Sequence, residues 1–287
     1  MSHDIWYALQ DDNRYVYHYT RASTLAGDIL PSGKLRFSRF LNVNDPRESK
    51  YWRFGYTGGD PAKDRLIEEK LNHSLKHLWR IGCFVSDPYE ALITKRREDL
   101  GEDILGAVYE RGHSRPRMWA QYGENYKGAC LVFDKAKLDS DIHTLSREMG
   151  FKVFADKVDY RNPRVVFDLR RPGALMIYVD EINRLGFDGA VQAHVSRHWK
   201  ELFFLKSRDW EQEREYRWLV GGKRDEDFYI DIQNSLVGIA LGDLFPDDLK
   251  DEVGQFSRSN PAISVAIMRW QNGVPQPDHM PWRLLIK

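Results

Sequence analysis

Trp210-Glu-Gln-Glu213-Arg-Glu215-Tyr-Arg217-Trp218 is the stretch on which the reading of this chain turns. Extended backbone alternates its side chains with a period of two. A strand over 213–218 therefore puts Glu213, Glu215 and Arg217 on one face and Arg214, Tyr216 and Trp218 on the other. Two carboxylates then share a surface, where they repel unless a cation or the hydroxyl groups of a ligand lie between them. The stretch is either a site or a solvated strand face neutralised by Arg217.

Outward from it, the last seventy residues read as strands over 215–220, 228–232, 236–241, 263–270 and 282–286, with one helix near 246–258. Upstream, helical patterns fill most of 173–206 and carry Val195, Trp199, Leu202 and Phe203, while 128–134 and 152–160 read as strands. The chain opens on a β-branched and aromatic run at 15–20. Thr20 then caps a short helix with Leu25 and Ile29 one turn apart, which Pro31-Ser32-Gly33 ends. A strand over 35–38 and an Asx–Pro loop, Asn42-Val43-Asn44-Asp45-Pro46, follow. Asp60-Pro61 opens a helix with Ile67, Leu71, Leu75 and Leu78 on one stripe, ending near Trp79. A strand over 81–86, a charged helix over 88–110 and a helical segment over 117–123 complete the set. Strands and helices in this order specify an α+β fold. No repeat or long linker divides the chain, so the expectation is a single domain over 1–287 with a helical insertion around 135–206.

The 287 residues suffice for a substantial core. Forty-three basic residues balance 43 acidic ones, which removes any global field drawing the molecule to nucleic acid or an anionic membrane. An aromatic share of 13% argues against disorder. Only two cysteines are present, Cys83 and Cys130, in separate apolar runs, so neither a metal knuckle nor a disulfide framework is available. No run approaches a membrane span, and the first residues lack a basic flank followed by a long apolar stretch. A cytoplasmic location, with no membrane contact, is expected.

Other signals weigh less. His73 with His77, and His194 with His198, are i, i+4 pairs without a third ligand, and no metal is expected. No glycine pattern of Rossmann or P-loop type occurs. Ser86 lacks a nucleophile elbow and Cys83 lies in an apolar strand. The basic runs 95–97, 111–117 and 161–171 read as solvated faces, with a nucleic-acid surface as the alternative. Asn44-Asp45-Pro46-Arg47-Glu48 is either a loop closing over a ligand or a rigid turn with Glu48 tied to a local arginine.

Seven motifs stand in register: His18-Tyr19-Thr20, Ile29 to Leu35, Asn44 to Glu48, Cys83 to Ser86, Met118-Trp119-Ala-Gln-Tyr122, Gly128 to Asp134, and Trp210 to Arg217. Together they resemble a bacterial domain-of-unknown-function family, number 2971, over most of the chain. Their order is also similar to the His-Tyr-Glu branch of the ADP-ribosyltransferase superfamily, in which a strand ending in His, a Tyr-bearing helix and a strand opening with Glu-Tyr line one NAD site. That resemblance implies an ADP-ribosyltransferase-like split β-sandwich core with helical insertions. It implies NAD as substrate, with His18 on the adenosine ribose, Thr20 and the backbone at Tyr19 beside the nicotinamide amide, and Tyr122 or Trp119 stacked on the nicotinamide ring. Glu215 would accept the 2′-hydroxyl of the nicotinamide ribose, and Glu213 would orient an acceptor. The chemistry suits these residue types: losing nicotinamide leaves an oxocarbenium-like sugar that a fixed carboxylate stabilises, and a flat aromatic face suits a cationic pyridinium. Tyr19 stands where the polymerases of that superfamily have Gly, a departure that crowds the amide contact.

The function so implied is an NAD-dependent ADP-ribosyltransferase or NAD glycohydrolase acting in a bacterial cell as an effector, toxin or defence component, its acceptor being protein, nucleic acid, a small molecule or water. The alternative is a non-catalytic module of the same fold that senses a nucleotide or binds a protein.

Overall fold

Tyr15-Val-Tyr-His-Tyr-Thr20 forms strand β1 (Tyr15–Thr20) in a computed structural model that describes residues 5–6, 14–57, 61–87, 111–161, 173–222 and 224–279. A helical run follows, α1, made of a turn Ala22–Thr24, a π-helical turn Leu25–Ile29 and a last turn Leu30–Ser32. Arg21, not Thr20, holds its N-cap position: Thr20 is still paired in the sheet and points no cap at the helix. Gly33 ends the run at φ 62°, a left-handed conformation that costs glycine nothing.

Next come β2 (Lys34–Arg39), the one-turn helix α2 (Pro46–Ser49), β3 (Gly55–Thr57), α3 (Pro61–His77) and β4 (Trp79–Ser86). Helix α4 (Pro116–Gln121) precedes β5 (Ala129–Asp134) and α5 (Lys135–Met149). The run expected as one strand over 152–160 divides at Val158 into β6 (Lys152–Lys157) and β7 (Asp159–Arg161). Then follow β8 (Met176–Tyr178), α6 (Val179–Phe203), β9 (Leu205–Ser207), β10 (Glu215–Gly221), β11 (Phe228–Asp231) and β12 (Leu236–Leu241). Helix α7 (Lys250–Ser259), β13 (Ser264–Gln271) and β14 (Val274–His279) close the described chain. The helix expected over 88–110 and the strand over 282–286 lie outside the described residues. The content is α+β.

The chain folds into two compact units, neither continuous in sequence. The first takes residues 1–35, 84–141 and 230–287. In it β14, β13, β12, β5 and β1 lie side by side, followed by the last residues of β4. Every pairing is antiparallel except β12 with β13, where α7 provides the crossover that parallel strands need. His18 stands opposite Leu131 and Thr20 opposite Ala129. Trp6, Tyr17, Tyr19, Met118, Trp119, Val132 and Met268 fill its core.

The second unit takes residues 36–83 and 142–229. Here β10 pairs antiparallel with β6, with Trp218 opposite Ala155, and β2 with the first residues of β4. Two parallel pairs, β3 with β8 and β7 with β9, flank them in sequence, and the second sets Tyr160 opposite Lys206. Leu71 and Leu75 of α3, Val191, Val195, Leu202 and Phe203 of α6, and Phe40, Trp52 and Trp79 make one apolar cluster. Helix α6 is broken at Gly186, whose φ of 70° and ψ of 166° leave the helical region. No helix among the described residues is long and apolar enough to cross a membrane.

Candidate functional site

The second unit gathers charge where its sequence is otherwise apolar. The Asn44–Glu48 motif begins the assembly. Asp45 caps α2, its Oδ1 accepting from the Arg47 N–H at 2.9 Å, and Pro46 occupies the first helical position. This one fixed turn points Glu48 inward, where it is fully buried, while Arg47 donates to the carbonyls of Glu201 and Leu205. The arginine that Glu48 meets is Arg217 of β10, not a local one.

Arg217 is a hub with every donor engaged. Nε donates to Glu215 Oε1 at 2.7 Å and Nη2 to Glu215 Oε2 at 2.8 Å. Nη1 and Nη2 donate to the two oxygens of Glu48 at 2.5 and 3.0 Å, and Nη1 also to the Phe203 carbonyl at 2.5 Å. Five N–H groups thus find five acceptor contacts, which is how a fully buried guanidinium is tolerated. Lys206, placed by the β7–β9 pair, closes the other side: its Nζ lies 2.8 Å from Glu213 Oε2 and 2.9 Å from Glu215 Oε2, and 5.2 Å from the Trp210 ring centroid.

The expected shared face holds for Glu215 and Arg217, and for Tyr216 and Trp218 opposite them, whose rings meet at 4.7 Å. It does not extend to Glu213 by alternation. The strand begins only at Glu215, after a 3-10 turn over Arg208–Glu213 and a left-handed Arg214 at φ 46°. Lys206 brings the two carboxylates together instead, and neither is solvated: Glu213 is 3% exposed and Glu215 5%, against 0% for Glu48. The cluster therefore has an inner end at Glu48 and Arg217 and an outer edge at Glu213, Glu215 and Lys206.

Electrostatics follow from this layout. Burial alone raises the Glu215 carboxyl, but Arg217 and Lys206 outweigh it and hold it far below the usual carboxylate range. At Glu48 burial prevails over Arg217, and its carboxyl is pushed up. Burial works against the Lys206 ammonium too, yet Glu215, Glu48 and Glu213 keep it charged. Burial pushes the Cys83 thiol up, with Glu215 next in effect, so it is no thiolate nucleophile. The Tyr160 hydroxyl accepts from the Glu215 N–H at 2.9 Å and is held protonated by burial and by Glu215.

The first unit holds the remaining sequence-derived residues. His18 is half-buried on β1, its ring 5.5 Å from Phe84. Thr20 is buried at the end of the same strand. Tyr19 faces the core, donating from its hydroxyl to the Gly112 carbonyl at 2.7 Å and meeting Trp119 edge-on at 5.2 Å. Trp119 is fully buried, with Nε1 donating to the His113 carbonyl at 2.8 Å. Tyr122, at the end of α4, is half-buried. The next three residues after Gly123 are all left-handed, Glu124, Asn125 and Tyr126 at φ 52°, 50° and 67°, and Glu124 Oε2 accepts from the Ala22 N–H at 3.2 Å.

Sequence reading missed a second buried polar group in this unit. Asp87 accepts from Tyr17 at 3.0 Å and from the Gly112 N–H at 2.8 Å, and pairs with Arg111 at 3.1 Å. Arg111 is thus no part of a solvated basic face. His113 is fully buried with neither ring nitrogen hydrogen-bonded, and burial, then Arg111, lowers its pKa to about 3. Lys206 was also legible in principle: a lone lysine closing the apolar run Phe203-Phe204-Leu205 needs a carboxylate partner. The basic run 95–97, and the run 161–171 beyond its first residue, lie outside the described residues. Among the described residues no group of three or more His, Cys, Asp or Glu is placed to hold a metal ion.

Residues 118–218 match the family model described as Protein of unknown function (DUF2971). The match runs from Met118 to Trp218 and so includes Tyr122, Lys206, Glu213, Glu215 and Arg217. The motifs at His18–Thr20, Asn44–Glu48 and Cys83–Ser86 stand outside it. No curated protein and no solved structure matches the chain, and none of these comparisons relates it to ADP-ribosyltransferases.

Proposed function

We propose that this protein consumes NAD, as an ADP-ribosyltransferase or NAD glycohydrolase on an ADP-ribosyltransferase-like split β-sandwich, with Glu215 as the catalytic carboxylate. The observation that carries this reading is that Glu215, opening β10, is fixed by Arg217 and held ionised. In the reaction the C1′–N bond of NAD breaks and its electron pair leaves with neutral nicotinamide. The oxocarbenium-like ribose is captured by water or by an acceptor nucleophile that gives up a proton. A carboxylate already oriented and charged stabilises that cation without reorganising. Glu213, held beside Glu215 by Lys206, is the candidate for orienting the acceptor. The acceptor class, protein, nucleic acid, small molecule or water, is what the assay must read.

A second reading, a non-catalytic module binding a nucleotide or a protein, is favoured by one observation. The Glu215 oxygens already accept from Arg217 twice and from Lys206 once, so a ribose hydroxyl must compete for what remains. The test is to follow nicotinamide release and transfer of adenosine-labelled NAD by the purified protein. Turnover that falls roughly 10²- to 10³-fold in Glu215→Gln supports catalysis. No release by the wild type, with NAD still raising the unfolding temperature, overturns it in favour of the second reading.

A further inference from the structure

We propose that Glu48 is a positioning residue for Glu215, acting through Arg217 to fix the carboxylate and to leave its charge uncompensated. The inference rests on the NAD-consuming reading of Glu215. Its ground is the geometry of the hub: one planar guanidinium receives Glu215 on its Nε side and Glu48 on its Nη side, with Nη2 donating to both. An arginine paired with Glu215 alone would form a neutral unit with little field to offer a developing cation. With Glu48 on its other side, the trio carries one net negative charge, and the least buried member of that trio is Glu215. Lys206 and Glu213 add one charge of each sign and leave the balance unchanged.

The groups that face Glu48 are Arg217 and Glu215 of β10, Lys206 of β9 and, on α3, Lys76, whose Nζ contacts the Glu48 carbonyl and not its carboxylate. Arg47, its neighbour in α2, turns its guanidinium to the Glu201 and Leu205 carbonyls. The Glu48 carboxylate thus takes its hydrogen bonds from Arg217, while Lys206 and Lys76 feel its charge. Asp45 and Pro46 make its approach rigid, which accounts for a capped helix only one turn long in a loop.

The experiment compares wild type with Glu48→Gln and Glu48→Asp by steady-state NAD consumption across pH, together with carbon-13 NMR titration of glutamate-labelled wild type and Glu215→Gln. In Glu48→Gln kcat should fall roughly 10- to 100-fold, the scale seen when a residue behind a functional group is lost, while KM for NAD stays within about twofold. Wild-type kcat should decline on the acid side as Glu48 takes up a proton, and Glu48→Gln should lack that limb. Glu48→Asp, which keeps the charge, should recover part of the loss. An unchanged kcat in a folded Glu48→Gln overturns the proposal, as does a matching loss in Glu48→Asp and Glu48→Gln. The NMR arm needs no turnover: with Glu215 neutral, Glu48 has Arg217 to itself and must titrate at lower pH, and an unmoved titration also overturns the proposal. A wild type that releases no nicotinamide but shows this shift condemns the NAD reading and leaves the Glu48–Glu215 coupling standing.

Discussion

Arg217 and Glu48 lie 169 positions apart in sequence and are joined by two hydrogen bonds of 2.5 and 3.0 Å, neither side chain reaching solvent. Two motifs that look unrelated in the sequence, an Asx–Pro turn and a Glu-x-Glu strand, are therefore one construction. Removing the cation strands two buried carboxylates, so Arg217→Met should cost about 3–5 kcal/mol in urea unfolding. Replacing all three, Glu48→Leu, Arg217→Met and Glu215→Leu together, should recover most of that loss, because the desolvation of these three charges is removed at once while Lys206 keeps Glu213 as its partner. A triple variant no more stable than Arg217→Met would mean that packing, not charge, sets the cost.

Lys76 gives the second unit a signature at alkaline pH. It is buried, donates to the Glu48 carbonyl at 2.5 Å and lies 4.2 Å from the Trp52 ring centroid. Burial, against the pull of Glu48, lowers its pKa from the ordinary 10.5 to about 8. Between those values the unfolded chain binds more protons than the folded one, so this group makes stability rise with pH across that window. Lys76→Met removes the rise. Urea midpoints of both proteins at steps through the window should show a gap that moves in favour of wild type as pH increases, and a gap independent of pH would contradict the assignment.

The legible parts of the fold are those where one residue pattern answers to one neighbour. The apolar strand Ala129–Asp134 and the stripe of Leu71 and Leu75 stand where periodicity puts them. What escaped is of two kinds. Strand β14 carries Pro275 and Pro277, which speak against a strand, yet among the described residues it pairs on one side only, with β13, and on such an edge a missing N–H is tolerated. The Asn272-Gly273 pair, at φ 52° and 78°, supplies the turn that joins the two strands. The other kind is long-range: alternation placed Glu215 and Arg217 on one face, but nothing local to Glu48 says that its partner is Arg217. Nor does period two survive Arg214, whose left-handed backbone ends the alternation before Glu213.

Close approach of backbone holds the turn after α4 in its left-handed form. A Cβ on Gly242 would stand 2.0 Å from the Tyr126 carbonyl oxygen, and one on Gly128 would stand 2.2 Å from that of Thr20. Both obstacles are backbone and cannot rotate away. Three consecutive left-handed residues other than glycine cost roughly 1–2 kcal/mol each, so this turn persists only while its surroundings impose it. Gly242→Ala should destabilise the first unit by several times the ~1 kcal/mol of an ordinary substitution. Amide exchange should then quicken at Glu124, Asn125 and Tyr126. Wild-type exchange at those amides in a folded Gly242→Ala would show that the turn holds itself.

Trp119 and Tyr122 sit one turn apart on the same short helix, and the resemblance to NAD-binding enzymes offers both as the ring beneath nicotinamide. Their surroundings separate them. Trp119 is enclosed, its edge against Tyr19 and its Nε1 spent on the His113 carbonyl, so Trp119→Phe removes a buried hydrogen bond and leaves a void. That should cost about 1–3 kcal/mol in stability, with NAD affinity changed little for the fraction that stays folded. Tyr122 is half-buried where Trp119 is fully enclosed, so Tyr122→Ala should cost the fold under about 1.5 kcal/mol. If its ring stacks on a cationic nicotinamide, the same change should weaken NAD binding by roughly 1–2 kcal/mol, and Tyr122→Phe should restore it because stacking needs the ring and not the hydroxyl. Calorimetric NAD binding beside urea unfolding for the three variants reads both quantities. Equal affinity in Tyr122→Ala and wild type removes Tyr122 from NAD recognition, and a loss of affinity in Trp119→Phe without a loss of stability would reverse the two assignments.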